Sequence, residues 1–147
     1  MSNQGNRVLG LDYGTKRIGI AISDPSCTIA RGLPTLFSYN LPDTFKKIEE
    51  IIFEYNVREV VVGLPLTLKG TIHKAAMRTQ SFAEELKKQL ELPIHLWDER
   101  FTSVMAENSL KAMGVSPSKN RDKIDQISAV LILQSFLDNR KAGGPNE

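Results

Sequence analysis

The chain predicts an α/β fold, a mixed sheet with helices packed on its faces, and three observations carry that expectation. An apolar hairpin opens the chain, the segment 57–63 contains the apolar run Val60-Val61-Val62 without alternation, and segments with the 3.6-residue period of a helix separate the later strands. The implied order is three strands, then helix, strand, helix, strand and two closing helices.

Residues 7–12 and 17–23 are rich in Val, Ile and Leu and flank Tyr13-Gly14-Thr15-Lys16, a turn by composition, so they read as an antiparallel hairpin. A third strand is expected after Gly32, near 35–38. Pro42 then opens a helix with Phe45, Ile48, Ile52 and Tyr55 on one face and Lys46, Lys47, Glu49 and Glu50 outside. Val60-Val61-Val62 is what a strand covered on both faces looks like. A second helix is expected from about 73 to 90, with Phe82, Leu86 and Leu90 inward and Pro93 stopping it. Residues 94–97 form a short strand, and Ala106, Leu110 and Met113 mark a third helix ended by Gly114. Asp122 and Asp125 precede Ile127, Val130, Leu131, Leu133, Phe136 and Leu137. That final helix is apolar around much of its girth and must be well buried.

At 147 residues the chain suits one domain with a core of its own. We expect that domain at 7–138, with flexible ends at 1–6 and 139–147. A net charge of +2 does not announce a polyanion partner, although Lys16-Arg17 and Lys119, Arg121 and Lys123 set positive charge at expected loop ends. Either group alone also reads as a solvated surface. Cys27 is the single cysteine, which excludes an internal disulfide, and two histidines without a Cys pair exclude the usual zinc spacings. No apolar run approaches the roughly 18 residues of a membrane span, so a cytoplasmic location away from membranes is expected.

The chemistry lies in three acids. Asp12 ends the first apolar strand in Leu9-Gly10-Leu11-Asp12-Tyr13-Gly14, where an unpaired carboxylate is costly unless a cation or hydrogen bonds satisfy it. The alternative is a hairpin Asp that satisfies turn amides. Glu99 follows the last strand beside Asp98, and in an unbroken strand the two would point to opposite faces. Whether Asp98 assists Glu99 stays open at this point. Asp125 falls in the first turn of the final helix, where, taken alone, it reads better as an acid stabilised by the helix dipole. Adjacent first and last strands would bring Asp12 and Glu99 to one crevice at the carboxyl ends of the sheet. Asp125 would then lean in above them, with Ser128 and Ala129 small enough to let the helix pack close. Rival motifs fail on spacing. Glycines 10, 14 and 19 miss the dinucleotide fingerprint, and Gly63 to Lys69-Gly70 misses the Walker loop. His73 and His95 lack partners at catalytic spacing, and Trp97 reads as core or as a base-stacking aromatic.

Four ordered blocks resemble the YqgF family of bacterial proteins, itself similar in fold to RNase H and to the RuvC Holliday-junction resolvases. They are Gly10-Leu11-Asp12-Tyr13-Gly14 with Lys16-Arg17-Ile18-Gly19, Val62-Gly63-Leu64-Pro65-Leu66, Asp98-Glu99-Arg100-Phe101-Thr102-Ser103, and Asp125 before Ser128-Ala129-Val130-Leu131-Ile132-Leu133-Gln134. The resemblance implies an RNase H-like fold with a five-stranded mixed sheet, and a cytoplasmic nuclease that processes the 5′ end of the pre-16S ribosomal RNA. Its acidic positions fall on Asp12, Glu99 and Asp125. The chain departs from the family pattern at Thr67-Leu68-Lys69 and at Asp122-Lys123, positions that bear on substrate contacts more than on chemistry.

From these acids we expect two-metal hydrolysis of a phosphodiester with Mg²⁺ or Mn²⁺, since hard oxygen ligands crowded together repel one another unless cations intervene. Asp12 is expected to bridge, Glu99 and Asp125 to flank, and Lys16, Arg17 and Arg100 to hold substrate phosphates. The expected partner is nucleic acid, an RNA precursor ahead of a DNA junction, with ribosomal particles a further candidate and the protein a monomer or weak homodimer. The alternatives are a DNA junction resolvase, which should be an obligate dimer, a non-catalytic RNA-binding module in transcription or ribosome assembly, and a fragment of an actin-like kinase or ATPase. Intact acids argue against the pure binder, and a single domain argues against the kinase.

Overall fold

In the computed structural model, which describes residues 6–38, 40–65, 74–99, 112, 114 and 121–141, a five-stranded sheet runs in the order β3-β2-β1-β4-β5. Strands β1 (Arg7–Tyr13) and β2 (Arg17–Ser23) form the expected antiparallel hairpin. Strand β4 (Val57–Leu64) lies parallel to β1, and β5 (Ile94–Asp98) parallel to β4. The sheet is therefore mixed, antiparallel on one side of β1 and parallel on the other.

Strand β3 (Ala30–Phe37) begins well before the expected 35–38. Gly32 and Pro34 look like breakers, but β3 is an edge strand, where a missing amide donor is tolerated. Pro34 falls in a bulge, because Ile18 and Ile20 pair with Leu36 and Leu33 and one extra residue is left on β3.

Helix α1 (Leu41–Tyr55) starts where Asn40 accepts a hydrogen bond from the Asp43 amide and ends at Asn56, whose left-handed φ of 55° lets its amide reach back to Ile52 and Phe53. Helix α2 (Lys74–Gln89) stops before Leu90, so Pro93 lies beyond the helix and introduces β5. Both pack on one face of the sheet, with Phe45, Ile48, Phe82, Leu86 and Leu90 against Leu9, Leu11, Ile20, Val60 and Val62. The third helix expected at 106–113 lies outside the described residues.

Helix α3 (Arg121–Lys141) covers the other face, where Ala129, Ile132, Leu133, Phe136 and Leu137 are buried against Val8, Ala21 and Val61. It begins early enough that Asp122 lies within it and Asp125 in its second turn, and it continues past the expected boundary at 138. Its far end is tied down. Arg140 donates two hydrogen bonds of 2.8 Å to Glu59 of β4 and lies 4.5 Å over the Phe136 ring, while His95 contacts the same carboxylate at 2.9 Å. The Arg140 hydrogen bonds hold the Glu59 carboxyl below its usual range. Gln126 and Gln134 reach from the helix to the edge strand, donating to the Leu33 and Thr28 carbonyls, and Gln134 accepts from the Ala30 amide. Among the described residues no helix is long and apolar enough to cross a membrane.

Candidate active site

The two sheet acids come together although their strands are not neighbours. Asp12 is the sixth residue of β1, on the face covered by α3, and opposite Gly19 of β2. Glu99 follows β5, its amide donating to the Leu64 carbonyl at 3.1 Å, so that the β4–β5 ladder carries one residue further and aims the side chain. Strand β4 intervenes between β1 and β5, which corrects the expected adjacency. Contact is possible because the intervening residue is Gly63. A Cβ built there would meet Glu99 Oε1 at 2.8 Å and crowd Ile132 Cδ1. Glu99 thus lies over a strand residue with no side chain and hydrogen-bonds to Asp12.

Burial of the Asp12 carboxyl, reinforced by the nearby Asp125 charge, pushes its pKa up to about 7 from 3.8. Burial, then the Asp12 charge and the shared hydrogen bond, push Glu99 up to about 9. Glu99 is the member of the pair that keeps its proton and donates it toward Asp12. Asp98 stands on the opposite face of β5 from Glu99, since His95 and Trp97 face Phe136 and the alternation continues. Its charge reaches Glu99 only as the smallest of the causes that raise it.

Asp125 arrives from α3 through a second absent side chain. The Asp125 carbonyl packs on Gly19 so closely that a Cβ there would collide with it, and Ala129 presses on the same glycine. The expected close approach of Ala129 is therefore present, with its socket in β2. Arg17 Nε donates to Asp125 Oδ2 at 2.7 Å, so this candidate phosphate ligand is paired with an acid of the site. Lys16 stands exposed in the hairpin turn, its carbonyl accepting from the Ser38 amide at 3.0 Å. Arg100 and His73 lie outside the described residues. Trp97 packs edge-on against Phe136 and donates to Ser135 Oγ at 3.1 Å, a core role.

A cleft of about 250 Å³ opens over the pair, lined by Asp12, Tyr13, Gly14, Thr15, Pro65, Ala75, Arg78, Thr79 and Glu99. Arg78 was missed in the sequence. Its signal was an anomaly, because α2 opens with Lys74 and Arg78 and has no acid in its first turn, the reverse of what the helix dipole favours. Among the described residues no three His, Cys, Asp or Glu side chains close to metal-enclosing distance. The donor chemistry nevertheless fits a hard divalent cation. Two carboxyls in direct contact carry raised pKa values, and a third acid stands close enough to raise one of them.

A five-stranded mixed sheet with one acid near the end of its central strand β1, one just past the edge strand β5 and one on the helix above defines the RNase H-like class of nuclease domains. The chain belongs to the RuvX family, whose model, described as Holliday junction resolvase, matches residues 6–139; this is the YqgF family of the sequence resemblance. It is 45% identical over 134 residues to a protein of Koribacter versatilis named "Putative pre-16S rRNA nuclease", covering 91% of this chain and 88% of that one. A protein of the same name from Thermoanaerobacter pseudethanolicus is 44% identical, with 92% and 98% covered. Among solved structures, the RuvC of T. thermophilus in complex with a Holliday junction substrate superposes with a TM-score of 0.54 at 12% identity, covering 92% of this chain and 95% of that one. The Fowlpox virus resolvase bound to junction DNA gives 0.56 at 11%, with 91% and 98% covered. At these identities the structural likeness speaks to fold alone. Membership makes the chain one of a family of phosphodiester-hydrolysing nucleases.

Proposed function

We propose that the protein is a divalent-metal-dependent ribonuclease that processes the 5′ end of the pre-16S ribosomal RNA in the cytoplasm, with Asp12, Glu99 and Asp125 as its catalytic acids. The observation that carries the proposal is the Asp12–Glu99 contact: two carboxyls pressed together over Gly63, both with raised pKa values, beneath an open cleft. Such a pair stores repulsion that a cation relieves. The names of the relatives at 44–45% identity favour the RNA precursor over junction DNA as substrate.

In this reading Asp12, Glu99 and Asp125 hold Mg²⁺ or Mn²⁺, which supplies charge neutralisation for the phosphodiester and lowers the pKa of water. Asp12 is central, touching Glu99 directly and feeling Asp125. As a cation ligand Glu99 would have to be ionised, so binding at neutral pH would carry proton release with it. With a cation bound, Asp125 would hold it in place of Arg17, leaving the Arg17 guanidinium available to a substrate phosphate. Arg78 on the cleft wall and Lys16 at the hairpin turn supply further positive charge along the backbone path.

The test incubates labelled ribosomal RNA precursor and a four-way DNA junction with the protein, with Mg²⁺, Mn²⁺ or EDTA, beside Asp12→Asn. Metal-dependent RNA cutting lost in the variant is the expected result. Symmetric cutting of the junction alone would replace the RNA reading with a resolvase, and unchanged turnover in Asp12→Asn would overturn the site.

A further inference from the structure

A second depression adjoins the candidate cleft. Between the start of α1 and α2 runs a groove of about 610 Å³, lined by Tyr13, Leu41, Pro42, Phe45, Arg78, Ser81, Phe82, Glu85 and Gln89. Tyr13 and Arg78 belong to both linings, so the two depressions meet at those residues. We infer that this groove seats an unpaired nucleobase of the RNA strand, the one next to the phosphate held over Asp12 and Glu99. The inference rests on the nuclease reading above and names a specificity subsite within it.

The wall chemistry matches a base rather than a second helix or a metabolite phosphate. Tyr13 and Phe82 stack with centroids 4.2 Å apart and planes 18° from parallel, and Phe45 continues the row at 5.6 Å and 19°. Phe45 and Phe82 are buried and form the floor of the groove, while exposed Leu41 and Pro42 beside half-buried Tyr13 offer apolar surface against which a single-stranded base can pack. Glu85 and Gln89 stand along the same lining, providing donors and acceptors for base edges. Arg78, at the junction of groove and cleft, is placed to neutralise the phosphate that links the two positions. The volume lies within the roughly 300–1,000 Å³ usual for sites that enclose a small ligand group.

The occupant is unpaired because helices wall the groove on both sides. A base still stacked and paired in a duplex presents only its edge to such a surface, whereas a splayed base presents its face. Junction DNA keeps its arms paired, so the groove favours a single-stranded stretch of RNA near the cut.

The test uses the full chain and short RNAs carrying the fluorescent base 2-aminopurine at successive positions, read in EDTA so that no strand is cut. Quenching is expected at one position with wild type and with Ser81→Ala. Ser81→Trp, an exposed helix position where the indole fills the groove, is expected to weaken that response at least tenfold and to raise KM about tenfold for metal-dependent RNA cleavage, leaving kcat within about twofold. The same base in a duplex, already quenched by stacking on its neighbours, is expected to show no change when the protein is added. Equal quenching by wild type and Ser81→Trp, a change in the duplex signal on adding protein, or no protein-induced quenching at any position would overturn the groove. The two readings fail separately: RNA cutting without position-specific quenching sinks the groove alone, and quenching without cutting sinks the nuclease reading alone. A circular dichroism melt of Ser81→Trp within a few degrees of wild type excludes a folding defect.

Discussion

Replacing Asp12 by Asn should make the metal-free protein more stable while removing its activity. Keeping Asp12 ionised at pH 8, where folding has moved its pKa from 3.8 to about 7, costs about 4 kcal/mol at ~1.4 kcal/mol per pH unit. Solvent reaches the rim of the site and the charge is shared with Glu99, so we take about 2 kcal/mol as the working figure. The sign follows from proton binding. The folded carboxyl holds its proton over a range in which the unfolded one has lost it, so stability falls as pH rises from about 4 to about 7 and is level above that. Asparagine does not titrate. The advantage of Asp12→Asn in EDTA should therefore be smallest near pH 4 and reach about 2 kcal/mol at pH 8, which is about 6 °C in Tm for a chain of this size.

Urea denaturation at pH 4.5, 6 and 8 in EDTA reads this directly, and saturating Mg²⁺ provides the complement. Wild type should gain about 2.7 kcal/mol at a hundredfold excess over Kd, and the variant should gain much less. An Asp12→Asn protein no more stable than wild type at pH 8, or one whose advantage grows as pH falls, would refute the account of a strained acid pair.

Gly63→Ala should cost only about 1 kcal/mol of stability, since the Ile132 methyl can yield, yet displace Glu99 from Asp12 and cut metal-dependent turnover at least tenfold; kcat and urea midpoints check the split. Gly19→Ala meets the Asp125 backbone carbonyl, which cannot swing away, and should cost about 3 kcal/mol in urea denaturation. Glu59→Gln unbalances the Arg140 fork and should lose about 1–3 kcal/mol of stability without changing kcat. Arg17→Gln leaves the Asp125 charge uncompensated beside Asp12 and should lower metal-free stability at pH 8 by up to about 1 kcal/mol, with a smaller loss at pH 5.

The hairpin, the buried strand at Val60-Val61-Val62 and the apolar final helix were legible because burial writes itself into residue type and period. Strand β3 was misread at its start because Gly32 and Pro34 are breakers by propensity, and only its place at the sheet edge, with a bulge at Pro34, makes them acceptable. The acids and the crevice shared by Asp12 and Glu99 were legible, whereas the route by which the two meet was not. Strand order decides that β4 stands between Asp12 and Glu99, and a sequence carries strand order only through long-range packing. Gly63 was noticed for the wrong reason, as part of a failed phosphate loop. Its use is that of a strand glycine marking a close approach. Arg78 was hidden because a lone cation in a helix with many charges looks solvated until the cleft beside it is drawn.

The site is built from side chains that are missing as much as from those present. Glu99 reaches Asp12 only across Gly63, and α3 brings Asp125 within range only by resting its backbone on Gly19. Both glycines lie on the sheet face that α3 covers, so the packing that buries Ile132 and Leu133 is the same packing that lets Glu99 touch Asp12 and brings Asp125 near them. Helix α3 is held from the opposite end by Arg140 and Glu59 and along its length by Gln126 and Gln134. The repulsion stored among the acids therefore works against a helix anchored elsewhere, and it cannot be relieved by letting the helix drift. What can relieve it is a proton, which Glu99 retains in the metal-free state, or a cation, which must displace that proton. Stability drawn from the apolar face of α3 is thereby used to keep Asp12 and Glu99 in contact with Asp125 nearby, and the proposed affinity for a divalent ion would follow from the same crowding.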